Sequence, residues 1–311
     1  MKNIIAVDLG GTSIKFGIVN EKGELLYEGL RPTMAESSKK VINNLKVAIS
    51  DCIDESKSKN IDLVAIGIGT PGIVDPTYRI VLGGADNIEG WVNINLSDEL
   101  ENEFHIPVYI NNDANMMGLG EQWHGVASDS SDVVFLTIGT GIGGAIIIDG
   151  KLYGGFANRG TELGHIPLIM DGRSCSCGSV GCLEAYASTS ALVDEYSQLI
   201  GNDYDNEING KLIVEEYQKG SKVAIIALNH HFQYVGRGIA GLVNIFSPQK
   251  VVIGGGISES GTNYIDNITK EYHKYVMPDC AVNTEICAAQ LGNKAGLFGA
   301  AKWALIQESR I

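Results

Sequence analysis

The stretch Ile4-Ile5-Ala6-Val7-Asp8-Leu9-Gly10-Gly11-Thr12 decides how this chain is read. An apolar, largely β-branched run ends in an acid, then two glycines and a hydroxyl reverse the chain into a second strand over about residues 14–19. The turn Glu21-Lys22-Gly23 leads to a third strand, so the chain opens as an antiparallel meander. The same design returns at Val133-Val134-Phe135-Leu136-Thr137, followed by Ile138-Gly139-Thr140-Gly141-Ile142-Gly143-Gly144, an apolar strand over 145–148 and the turn Asp149-Gly150. Two copies so far apart indicate duplicated domains rather than a short-period solenoid.

Between the copies the pattern predicts an amphipathic helix near residues 37–56, a buried strand over 63–69 and a break at Thr70-Pro71-Gly72. Beyond the second copy come a cysteine-rich loop and a helix-rich stretch over about 188–246, with the tract 201–210 read as a surface loop. The strand Lys250-Val251-Val252-Ile253 runs into Gly254-Gly255-Gly256 and a helix beginning near Ile257. A last helix over about 294–307 follows Leu291-Gly292-Asn293.

With 311 residues, of which 44% are hydrophobic, the chain exceeds one ordinary core, and two domains are expected. A formal charge of -14, from 23 basic and 37 acidic residues with no dense basic run, argues against nucleic-acid and anionic-membrane partners. The apolar run after Met1-Lys2-Asn3 is too short for a signal peptide or a membrane span, so a cytoplasmic location is expected.

The turn at Asp8 suits phosphate. Its glycines allow close backbone approach, N–H groups can meet phosphate oxygens, and Asp8 can hold magnesium directly or through water. The turn at residues 139–144 has the same chemistry without the acid, and both also admit a reading as plain tight hairpins. Gly254-Gly255-Gly256, after a buried strand, leaves room for a flat base or ribose. No Walker lysine motif is present.

Of the six cysteines, Cys52, Cys280 and Cys287 read as reduced thiols, whereas Cys175, Cys177 and Cys182 crowd together downstream of His165. Three thiolates and an imidazole satisfy tetrahedral zinc and leave no open position, so the predicted metal is structural. Glu162 and Glu184 flank these ligands in the chain, where a metal-held loop could aim both carboxylates at sugar hydroxyls.

Asn111-Asn112-Asp113-Ala114-Asn115 follows the strand Val108-Tyr109-Ile110 and precedes a helix through Trp123. Asp113 admits two readings: a helix cap, or a general base that takes the proton from a hydroxyl attacking phosphorus, at a mouth between two domains. His105, His124 and His230-His231 read as surface or helix residues, and Met116-Met117 as helix packing.

Taken together, these strings resemble the ROK family of sugar kinases and repressors. The resemblance rests on Asp8-Leu9-Gly10-Gly11-Thr12, Asn112-Asp113-Ala114-Asn115, Gly139-Thr140-Gly141, Glu162-Leu163-Gly164-His165, the string from Cys175 to Glu184, Gly254-Gly255-Gly256 and Leu291-Gly292-Asn293-Lys294-Ala295-Gly296, in family order over nearly the whole chain. It implies the actin, Hsp70 and hexokinase fold: two ribonuclease-H-like α/β lobes closing over ATP and sugar, with a structural zinc loop. The first lobe is expected over residues 1–117, completed by a C-terminal helix over about 297–311, and the second over 118–296.

Carried over residue by residue, the resemblance makes Asp113 the catalytic base and places Asn87, Asn112, Glu162, His165 and Glu184 on the sugar. Asp8, Gly10, Gly11, Thr12, Lys15, Thr140, Gly141, Gly254, Gly255, Gly256 and Asn293 would surround ATP and its magnesium. His165 would bind zinc through one nitrogen and touch the sugar with the other. A homodimer is also implied.

Repressors of the family carry a helix-turn-helix domain before the first glycine turn, which here begins at Asp8, so the expectation is an enzyme and not a sugar-sensing regulator. Glucose, giving glucose 6-phosphate, is the first substrate implied. Gly160-Thr161 stands where glucokinases of the family tend to carry alanine-glycine, and Cys175-Ser176-Cys177-Gly178-Ser179 with Glu184-Ala185-Tyr186-Ala187-Ser188 resembles N-acetylmannosamine kinases. An N-acetylhexosamine is therefore the alternative.

Overall fold

The structure, a computed structural model, describes residues 1–85, 87–201, 208–260 and 262–310. The strands β1 (Asn3–Leu9), β2 (Ser13–Asn20) and β3 (Leu25–Pro32) form the expected meander, followed by α1 (Ser38–Ser58) and β4 (Leu63–Thr70). Next come β5 (Ile73–Val74), β6 (Ile80–Gly83), β7 (Ile94–Asn95), α2 (Leu96–Phe104), β8 (Val108–Asn112) and α3 (Asp113–His124). The second meander is β9 (Val133–Ile138), β10 (Ile142–Ile148) and β11 (Lys151–Tyr153). After it lie α4 (Glu184–Ala187), α5 (Thr189–Ile200), α6 (Gly210–Gln218), α7 (Lys222–Phe246), β12 (Lys250–Gly254), α8 (Thr262–Tyr272), α9 (Pro278–Ala281), β13 (Glu285–Ala288) and α10 (Ala295–Glu308).

Two five-stranded sheets result, ordered β3-β2-β1-β4-β8 and β11-β10-β9-β12-β13. In each the third, second and first strands stand beside the fourth and fifth; the pairings of β1 with β2 and β2 with β3 are antiparallel, those of β1 with β4, β4 with β8, β9 with β12 and β12 with β13 parallel. This is the ribonuclease-H-like pattern, present twice, and it is the actin, Hsp70 and hexokinase fold. A third, three-stranded sheet of β5, β6 and β7, together with α2, was not legible as an element in the sequence.

Contacts divide the chain into two compact units: Met1–Asp129 with Ala145–Thr161 and Asn293–Ile311, and Ser130–Gly144 with Glu162–Gly292. The expected boundary at residue 117 falls inside α3, which runs unbroken to His124. A helix cannot be cut without losing its own hydrogen bonds, so the first unit keeps all of α3.

In the first unit β1 is buried at every position, because both faces of a central strand are covered. Ile5, Val7 and Leu9 join the cluster formed with Val41, Leu45 and Ile49 of α1. The alternate residues point to the opposite face, where Asp8 meets Gly296 of α10. There α3 and α10 touch backbone to backbone: an atom added at Gly299 would overlap the Met116 carbonyl, and one at Gly120 the Ala295 carbonyl. In the second unit α7 buries Ala224, Leu228, Val235, Ile239 and Val243 along one side, a helical spacing that packs against α5, α6 and α8.

The helix expected near Ile257 is a 3-10 turn over Gly256–Ser260 before α8. His231 is a helix residue, one of its two expected places, and is buried within α7 at 1% exposure against Tyr264. Part of the 201–210 tract lies outside the described residues, as does Asp86. No helix among the described residues is long and apolar enough to cross a membrane.

Candidate functional site

The candidate residues fall into two groups, one in each unit. In the first unit, Asp8, next to last in β1, pairs with Gly69 of β4, which in turn pairs with Asn111 of β8. The carboxyl ends of three parallel strands thus lie side by side, the place where α/β sheets receive ligands. Asp8 is 2% exposed, its Oδ2 lies 3.2 Å from Lys15 Nζ, and its Oδ1 has no hydrogen-bond partner among the described residues. Burial lifts its carboxyl above the usual carboxylate range, with Lys15 pulling against that shift. A buried carboxylate with an unpartnered oxygen fits a divalent cation or the water such a cation carries.

The turn after Asp8 is closed by the Gly10 amide donating to the Ser13 carbonyl at 2.9 Å and by the Thr33 hydroxyl donating to the Gly10 carbonyl at 2.6 Å. Gly11 and Thr12 remain exposed. The Asn87 amide group covers Gly11, 2.8 Å from where a side chain would start, so the structure brings Asn87 to the glycine turn.

The cap position of α3 falls to Asn112 and not to Asp113. Asn112 is the cap: its Oδ1 accepts from the Asn115 amide at 3.2 Å, and its Nδ2 donates to the Gly72 carbonyl at 3.1 Å. Asp113 is the first helical residue, its Oδ1 accepting from the Ala114 amide at 2.9 Å, where the positive end of the helix dipole stabilises a carboxylate. The expected sugar contact from Asn112 therefore competes with two internal bonds. Asn293 lies exposed in the 3-10 turn Gly292–Lys294 that opens α10.

In the second unit, one ligand atom each from His165, Cys175, Cys177 and Cys182 lie within 4.8 Å of one another. His165 Nδ1 is 3.5 Å from Cys175 Sγ, and Cys177 Sγ is 3.7 Å from Cys182 Sγ. A tetrahedron with zinc–sulfur bonds of about 2.3 Å has sulfur–sulfur edges of about 3.8 Å and sulfur–nitrogen edges of about 3.5 Å. The four side chains thus fit a zinc ion, with His165 using Nδ1 and leaving Nε2 for another contact. The loop is held by the Cys175 amide donating to the Ser179 carbonyl at 2.9 Å and by bridges pairing Pro167 with Cys182 and Ser174 with Val180.

Glu162 and His165 share one turn, the His165 amide donating to the Glu162 carbonyl at 3.0 Å. The protein around the Glu162 carboxyl raises its pKa; Glu184 adds to the rise and His165 opposes it. Glu184 itself accepts from the Ile142 amide through Oε2 at 2.8 Å and from the Ser176 hydroxyl through Oε1 at 3.0 Å.

A cavity of about 930 Å³ is lined by Gly139, Thr140 and Gly256, and by Thr189, Asp194 and Lys211, among others. Thr140 and Gly256 were expected at the nucleotide; the α5 and α6 residues were not, because nothing in their spacing distinguishes a lining face from a solvated one. Gly141 lies against Glu184, and Gly254 packs on Phe135 at the end of β12. Gly255 has φ +100, and an added Cβ would overlap the Ile138 carbonyl, so only glycine fits.

The chain belongs to the ROK family, whose sequence profile matches residues 4–307. It is 33% identical to a glucokinase of Halalkalibacterium halodurans, the alignment covering 95% of this chain and 92% of that one. It is also 32% identical to a xylose repressor of Caldicellulosiruptor bescii, covering 96% of this chain and 76% of the repressor. Among solved structures, a ROK family glucokinase from Streptomyces griseus in complex with glucose and AMPPNP superposes with a TM-score of 0.84 at 34% identity, covering 98% of this chain and 99% of that one.

Proposed function

We propose that this chain is an ATP-dependent sugar kinase that transfers the γ-phosphate of ATP to a hexose hydroxyl, with glucose as acceptor and glucose 6-phosphate as product. The observation that carries this reading is the placement of Asp113 in the first turn of α3, directly after β8, at the carboxyl end of the parallel strands where β1 carries Asp8. Similarity to glucokinases along almost the full chain supports it.

In this reading Asp113 takes the proton of the attacking hydroxyl as its oxygen bonds to the γ-phosphorus and ADP leaves. The backbone N–H groups of Gly11 and Thr12, and those of Thr140 and Gly141, would meet phosphate oxygens, and the cavity beside Thr140 and Gly256 takes the nucleoside. Asp8 would hold magnesium, which neutralises phosphate charge when bound. Glu162 and His165 Nε2 orient the sugar, and a zinc ion held by His165 Nδ1, Cys175, Cys177 and Cys182 would fix the loop that carries them.

An N-acetylhexosamine is the second reading, supported by the resemblance of residues 175–179 and 184–188 to N-acetylmannosamine kinases and by a departure from the glucokinase pattern at Thr161. Thr161, where glucokinases of the family tend to carry glycine, has φ +68, so the backbone ahead of Glu162 is held by a different residue here. A coupled ADP-release assay across glucose, fructose, mannose, N-acetylglucosamine and N-acetylmannosamine tests both. Highest kcat/KM on glucose supports the first reading and on an N-acetylhexosamine the second. Sugar binding without ADP release on any of the five would refute the kinase and favour a regulator, consistent with the similarity to a repressor.

A further inference from the structure

Glu184 is expected at the sugar, yet both of its carboxylate oxygens are engaged inside the second unit. Oε2 accepts from the Ile142 amide at 2.8 Å, and Oε1 accepts from the Ser176 hydroxyl at 3.0 Å. Ile142 follows directly on Thr140 and Gly141, and Thr140 lines the cavity. Ser176 stands between the metal-ligating pair Cys175 and Cys177. One side chain is thus a strut from the zinc loop to the second glycine turn.

Two further facts show that the strut is built tightly. A side chain at Gly141 would start at 2.5 Å from Glu184 Oε2, so the carboxylate can lie under the turn only because that position is glycine. Glu184 is also the first residue of α4, two positions after the ligand Cys182, so the metal loop determines where its side chain starts. A carboxylate under a phosphate-binding turn would repel the phosphate if it faced it directly. Bound to the Ile142 amide, it instead holds the backbone with a charge-assisted bond and spends its charge there.

We propose that Glu184 is a positioning residue for the nucleotide: it holds the 139–142 turn in its receiving conformation, and through Ser176 the zinc loop governs that hold. This rests on the kinase reading above. By linkage, whatever the zinc loop contributes to nucleotide affinity, the nucleotide must return as tighter retention of zinc.

The test uses the full chain loaded with zinc and no sugar, with AMP-PNP as probe and calorimetry as readout. Glu184→Ala is expected to weaken AMP-PNP binding about tenfold and Ser176→Ala about threefold, the range for the net loss of one hydrogen bond, while Glu184→Gln, which can still accept from Ile142, stays within about threefold. Zinc release to a colorimetric chelator is expected to slow when AMP-PNP is present in the wild type, and not in Glu184→Ala. Unchanged AMP-PNP affinity in Glu184→Ala or, should that variant not fold, in Ser176→Ala would overturn the proposal. Weakened glucose or N-acetylmannosamine binding with intact nucleotide binding would assign Glu184 to the sugar alone. A wild-type chain that binds no AMP-PNP defeats the kinase reading first, an outcome distinct from the others.

Discussion

Gly296, in the first turn of α10, lies against Asp8 so closely that an added Cβ would stand 2.6 Å from Asp8 Cγ and 2.7 and 2.8 Å from its two oxygens. The absence of a side chain lets the positive end of α10 approach the carboxylate, a favourable placement beside the Lys15 ion pair. Gly296→Ala should therefore push Asp8 out of position. A stability loss of about 1–3 kcal/mol in chemical denaturation and a marked fall in ADP release are expected.

Asp8→Asn separates the stability of this site from its function. Burial is the largest influence on Asp8 and raises its pKa, so the ionised carboxylate destabilises the folded state at pH 7. The asparagine variant should be at least as stable as the wild type at pH 7 while losing activity. As pH falls through the raised pKa the wild type takes up a proton on folding and gains stability, so the difference between the two proteins should narrow. Denaturation of both from pH 8 to 5 checks the sign, and a difference that widens toward acid contradicts it.

Asp113→Asn keeps the helix start, since Asn112 supplies the cap. Turnover should fall about 100- to 10,000-fold, the usual contribution of a general base. Sugar affinity, read by calorimetry, should stay within about threefold, because only the proton acceptor is lost. Near-normal kcat would remove Asp113 from the chemistry.

Cys177 is exposed, so Cys177→Ala removes a ligand without opening the core. Elemental analysis should find one zinc per chain in the wild type and none in the variant. Loosening of Glu162 and His165 should raise the sugar KM about 10- to 100-fold, the effect typical of disturbing a metal site's supporting shell. Full sugar affinity in the zinc-free variant would separate the loop from specificity.

Thr161 is β-branched and has φ +68, a conformation that costs roughly 1–2 kcal/mol for such a residue. Its hydroxyl donates to the Gly160 carbonyl at 2.6 Å, a partial compensation. Thr161→Gly should stabilise the fold by about 1 kcal/mol, less the entropy that glycine adds to the unfolded chain. A denaturation midpoint that moves down would show that the strain is relieved elsewhere.

The two meanders and the cluster of His165, Cys175, Cys177 and Cys182, which could hold a metal ion, were legible in the sequence because local signals specify them. A β-branched run between turn residues reads as a buried strand, the glycine pair after Asp8 reads as a turn, and three thiols so closely spaced read as a metal-binding set. The division of labour between Asn112 and Asp113 could not, since both residue types cap helices and only the start of α3 chooses between them. Nor could the three-stranded sheet, whose strands β5 and β7 span two residues each and carry no period of their own.

What the sequence determines by itself is which backbone turns and which donor atoms exist. What the tertiary structure decides is whom each side chain serves. Glu184 meets the Ile142 amide from far along the chain, and Asp8 is buried by a helix almost at the other terminus. Those pairings come from packing between distant segments, where shape and burial, not sequence neighbourhood, set the partner.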